Sequence, residues 1–141
     1  MSYTHTATVS LSYEDAVART REALAEHGFG VLTEIDVKAT FDKKLGADAA
    51  EAVGDYVILG ACNPTLASKA LAAEPELGAL LPCNVVVRRG AGDNQTTIEA
   101  IDPQTMVTLG DSDQVREVAD DADARLQATL AAIIGGNNID V

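Results

Sequence analysis

The chain opens on a strict alternation. Tyr3, His5, Ala7, Val9 and Leu11 fall on one face and Thr4, Thr6, Thr8 and Ser10 on the other, the period of a half-buried strand. Ser12 followed by Asp15 has the form of a capping box with Asp in place of Glu. Ala16, Val17, Thr20, Ala23, Leu24 and His27 then recur at helical spacing until Gly28, which predicts a helix over Tyr13 to His27. A second strand is expected over Phe29 to Val37, with Val31, Thr33, Ile35 and Val37 on one face and Leu32, Glu34 and Asp36 on the other. That reading sets two carboxylates side by side. Thr40 to Leu45 and Ala47 to Ala52 read as short helical turns parted by Gly46.

The stretch from Tyr56 to Gly60 is apolar on both faces and runs straight into a helix start. Asn63 is a favoured N-cap and Pro64 is tolerated at the first helical position, where no N–H partner is needed. The helix carries Leu66, Ala67, Ala70 and Leu71 on one stripe and gives way at Glu74-Pro75, so Pro75 to Pro82 is a turn or a single 3₁₀ turn. Asn84 to Arg89 and Gln95 to Ile101 flank the loop Gly90 to Asn94, which reads as a hairpin. After the N-cap candidates Asp111, Ser112 and Asp113, the stripe Val115, Val118, Ala122, Leu126, Leu130, Ile133 and Ile134 predicts a long helix ending at Gly135-Gly136. Residues 1–136 then form one domain and 137–141 a frayed tail. The order does not alternate strand and helix regularly, so an α+β fold with an antiparallel-rich sheet covered by helices is expected, not a doubly wound one.

A chain of 141 residues buries roughly 70% of its unfolded surface, enough for one core without staples. Aromatics are only 4% with no Trp, so that core is aliphatic. The net charge of -12 repels phosphate backbones and anionic lipid heads and argues against nucleic acid and membranes as partners. The acidic clusters Glu14 to Glu26, Asp42 to Asp55 and Asp111 to Asp123 read as solvated helix faces, with adaptation to high salt as the alternative. No signal peptide or membrane span is legible, so a cytoplasmic protein with free thiols is expected.

Candidate chemistry centres on Cys62, which sits at a strand-to-helix corner. Such a corner offers backbone N–H groups and the positive end of a helix dipole to thiolates and small anions. Strands ending at Cys62 and starting at Asn84, if antiparallel neighbours, bring Cys83 to the same edge of the sheet, with Cα atoms near the bridging range of about 7 Å. Cys62 is then a thiolate or metal ligand with Cys83 resolving or co-ligating it, or the two are buried small hydrophobes, or a disulfide. Glu34 and Asp36 are candidates for acid/base work or a hard cation, against a plain solvated strand face. His5 reads as a satisfied core or edge histidine and His27 as complementing a helix C-terminus. The Cys spacing of zinc motifs is missing, so no metal ligand set is assigned. G-x-x-x-x-G-K-[ST], G-x-G-x-x-G in strand-turn-helix context and G-x-S-x-G are likewise missing.

Taken together, Thr33-Glu34-Ile35-Asp36, Lys38-Ala39-Thr40-Phe41, Lys44-Leu45-Gly46, Ile58-Leu59-Gly60-Ala61-Cys62-Asn63-Pro64, Leu66-Ala67, Ala70-Leu71, Gly78, Leu81-Pro82-Cys83-Asn84-Val85-Val86-Val87 and Asp102-Pro103 resemble the DUF302 family, a domain of unknown function. The resemblance spans roughly Thr4 to Gly110. It implies a compact α+β domain similar to the TATA-binding-protein type, with a β-α-β4-α core and usually a homodimer; it implies no established reaction. Phe41 and the acidic, Ala-rich loop Ala47 to Asp55 depart from the family pattern. Three functional readings stand. One is a small-ligand or metal-ion binding module at the Cys62-Asn63-Pro64 corner, with Cys83 beside it and Glu34 and Asp36 as further candidates. Another is a thiol-dependent redox enzyme using Cys62 with Cys83, and the third gives the motifs only a folding and dimerisation role. Neither cofactor nor substrate is specified by the sequence.

Overall fold

The computed structural model describes residues 3–107 and 112–139. The elements follow in the order β1 (Thr4–Val9), α1 (Tyr13–Glu26), β2 (Gly30–Asp36), α2 (Val37–Leu45), α3 (Ala47–Val53), β3 (Asp55–Cys62) and α4 (Pro64–Ala73). After a 3₁₀ turn over Pro75–Leu80 come β4 (Cys83–Arg89), β5 (Thr96–Ile101), α5 (Gln104–Val107) and α6 (Asp113–Ile139). The fold is α+β, and setting aside α2 to α5 leaves the order β-α-β4-α. The five strands form one sheet in the order β1-β5-β4-β3-β2, every neighbouring pair antiparallel.

One face of that sheet carries the core. Ala7 and Val9 of β1, Ile98 and Ala100 of β5, Val85 and Val87 of β4, and Val57, Leu59 and Ala61 of β3 are buried there against Ala16, Ala23 and Leu24 of α1 and Leu126, Leu130 and Ile133 of α6. Alternation sends the other side chains to the opposite face, where Thr6, Thr8, Thr97, Val86 and Ile58 are exposed or half-buried and Arg88 Nε pairs with Glu99 at 2.7 Å. A second, smaller cluster joins α4 to α6 through Leu66, Ala70, Leu77, Val115, Val118 and Ala122. Both clusters are built from the aliphatic stripes the periodicity predicts.

Ser12 caps α1 by accepting from the Asp15 N–H at 3.1 Å, and Gly28 follows with φ 89°, the left-handed conformation that ends the helix cheaply. Four expectations need correction. The register of β2 shifts between Val31 and Thr33, so Leu32 is the extra residue of a bulge, and Val31 shares the inner face with Glu34 and Asp36 while Thr33 and Ile35 point outward. Strand β2 stops at Asp36, whose Oδ1 accepts from the Ala39 N–H at 2.9 Å and starts α2 at Val37. Hence α2 begins three residues ahead of the Thr40 expected and takes in Lys38. Helix α6 does not stop at Gly135-Gly136 but continues to Ile139. Asp111 lies outside the described residues, and the Oγ of Ser112 accepts from the Val115 N–H at 3.4 Å at the start of α6.

Candidate functional site

At the end of β3, Gly60 has to be glycine. A Cβ there would collide with the Thr33 hydroxyl and stand 2.8 Å from Pro82 Cγ, so the outer face closes over the strand at this point. Three residues further on, Asn63 turns the chain into α4. Its Oδ1 accepts from the Leu66 N–H at 3.1 Å, while its Nδ2 donates to the Gly28 carbonyl at 2.9 Å. The Ala67 N–H goes to the Asn63 carbonyl at 2.9 Å and Pro64 has none. At most one first-turn N–H, that of Thr65, is left for an anion or thiolate, so the corner is mostly self-satisfied.

The strands leading to Cys62 and away from Cys83 are neighbours. Cys83 pairs directly with Ala61, and from sheet geometry its Cα lies about 6 Å from that of Cys62. Alternation turns the two side chains apart: Cys83 is buried on the core face with Val85 and Val87, and Cys62 projects half-buried from the other. Both are free thiols. Burial, helped by the nearby Cys62, pushes the Cys83 thiol up to about 11, which keeps it protonated and poorly nucleophilic at neutral pH.

Around this corner opens a cavity of about 310 Å³. Phe29, Leu32 and Thr33 form one wall, Leu66, Ala67, Ala70 and Leu71 of α4 a second, and Leu81, Pro82, Val118 and Ala122 close it, with Ala61, Cys62, Asn63 and Cys83 at the sheet end. Its walls are almost wholly apolar. Sequence reasoning finds Cys62, Asn63 and Cys83 but misses Phe29, Leu81, Val118 and Ala122. Their signal is the ordinary apolar stripe of core positions, which does not distinguish a residue facing a void from one facing another side chain.

Glu34 and Asp36 lie elsewhere. Asp36 pairs with Val57, five residues from Cys62 and so about 17 Å away along the strand. Glu34 accepts from Arg21 Nη2 at 2.6 Å, and Asp36 spends an oxygen on the cap of α2. The two share the inner face as expected, beside Tyr13, but the fold does not join them to the thiols. His27 Nδ1 donates to the Ala23 carbonyl at 2.7 Å, closing its own helix end. His5 Nε2 lies 2.6 Å from Asp123 Oδ1, a partner 118 positions away that no spacing rule reveals.

Among the described residues no helix is long and apolar enough to cross a membrane. No curated protein matches this chain. A solved structure of an uncharacterized conserved protein, DUF302, from Bacillus stearothermophilus is similar, with a TM-score of 0.82 and 31% identity over 94% of this chain and 99% of that one. Residues 5–133 match the domain of unknown function DUF302. With the strand order, the self-capped corner and both Cys-Asn motifs in place, the chain belongs to the DUF302 family.

Proposed function

We propose that the chain is a binding module for a small, mainly apolar molecule held at the corner of β3 and α4. The observation that carries this is the cavity of about 310 Å³ beside Cys62, about twice the 150 Å³ void that suffices to hold benzene in an aliphatic core. One polar group at its sheet end, the half-buried Cys62 thiol, supplies orientation. The alternative of a redox enzyme is less well supported. Its resolving thiol would be Cys83, which burial holds in the protonated form and which projects from the opposite face to Cys62. A purely structural role accounts for Asn63 but leaves the cavity without a use.

The test is a titration with indole, a small apolar probe, followed by amide chemical shifts. Saturable shifts confined to Ala61, Leu66, Ala70, Val118 and Ala122 are expected, and Ala67→Phe, which fills the space from α4, abolishes them. Shifts that never saturate, or that survive Ala67→Phe in a folded variant, would sink the reading.

A second copy of the chain is the partner best supported. Strand β2 is an edge, pairs with β3 alone, and leaves Leu32 and Ile35 68% and 50% exposed. Unpaired strand edges carrying apolar side chains are a template for another strand.

A further inference from the structure

We propose that His5, Asp102 and Asp123 form a binding site for a divalent first-row transition ion, separate from the cavity at Cys62. The three come from different parts of the fold: His5 from β1, Asp102 from the turn after β5, and Asp123 from the middle of α6. Their ligand atoms all lie within 4.8 Å of one another. The imidazole Nε2 stands 2.6 Å from Asp123 Oδ1 and 3.7 Å from Asp102 Oδ1. Ions of this class bind imidazole nitrogen and carboxylate oxygen at about 2.0–2.2 Å, which places neighbouring ligand atoms about 3.0–3.5 Å apart. The two His5 distances bracket that span, so on entry of an ion each changes by less than 1 Å, while the two carboxylates, within 4.8 Å of each other, close onto the same centre.

Charge favours occupation. Two carboxylates converge on one imidazole, and among the described residues the only basic group paired with either is His5 itself. The side chains are 27%, 24% and 18% exposed, sheltered enough to strengthen the field and open enough for water to complete the shell. The carboxylates are also held in place from behind. Asp102 Oδ1 accepts from the Gln104 N–H at 2.9 Å, Asp102 donates its own N–H to the Tyr3 carbonyl at 2.9 Å, and Asp123 Oδ2 accepts from Gln127 Nε2 at 3.1 Å. Such outer contacts fix ligand orientation in built metal sites. A donor set of one nitrogen and two oxygens, without sulfur, suits Mn²⁺, Co²⁺ or Zn²⁺.

Protein stripped of metal on a chelating resin is titrated with ZnCl₂ and with MnCl₂ by calorimetry, and with CoCl₂ by visible absorption. One equivalent is expected to bind, with cobalt bands free of sulfur-to-metal charge transfer. Asp102→Asn, which retains the oxygen that accepts from Gln104, and His5→Gln each weaken binding by at least about tenfold, since even losing an outer partner costs that much. The Cys62→Ser/Cys83→Ser double variant binds as the unaltered protein does. Broadening by Mn²⁺ centred on the amides of His5, Asp102 and Asp123 locates the ion without any substitution, should a variant fail to fold. Sulfur-to-cobalt charge transfer, loss of binding in the double serine variant, broadening centred elsewhere, or no binding at millimolar metal would each overturn the site.

Discussion

Asn63 uses both ends of its amide, one on the first turn of α4 and one on the Gly28 carbonyl at the other side of the corner. Replacing it by Ala removes a helix cap and a tertiary hydrogen bond together, so a loss of about 1–2 kcal/mol is expected. Asn63→Asp retains the acceptor but not the donor and falls between. A urea midpoint unchanged in Asn63→Ala contradicts the assignment. Half of this residue is legible in the sequence: Asn before Pro at a helix start announces the cap, whereas nothing local announces Gly28, 35 positions away. Gly60 is similar. Its place at the end of an apolar strand is visible, but the Thr33 hydroxyl and Pro82 ring that forbid a side chain are brought in by the fold.

Among the elements, helix α4 has the bounds the sequence implies, because Asn63-Pro64 and Glu74-Pro75 are hard signals at both ends. Strand β2 is less legible. A bulge adds one residue without altering the composition, so the alternation read across Val31, Leu32 and Thr33 assigns Val31 to the wrong face. The start of α1 lies over the acidic end of β2 and β3, where Tyr13 is half-buried. Burial first, then the charges of Asp36, Asp55, Glu34 and Glu14, push its phenol from 10.0 up to about 12. The folded chain therefore holds this proton more tightly than the unfolded one. The stabilisation it gives is complete below pH 10 and is lost as pH rises through about 12. An alkaline ultraviolet titration should show one late tyrosinate step that disappears in Tyr13→Phe; all tyrosines ionising together would contradict it.

At the scale of the whole molecule, the edge position of β2 leads to a prediction about mass. Sedimentation at micromolar concentration should give twice 14.7 kDa, and Ile35→Lys, which puts a charge on the exposed edge, should give the single-chain mass without loss of helix content. A single-chain mass for the unaltered protein rules the pairing out. The opposite edge has another consequence. Strands β2 to β5 can zip together as a meander of neighbours in sequence, whereas β1 pairs only with β5, from Thr4 opposite Ile101 to Val9 opposite Thr96. Closing that loop carries the entropy of about two thirds of the chain, and such pairings form late. On a ribosome β1 therefore cannot take its place in the sheet until β5, the last of the five strands in chain order, has emerged.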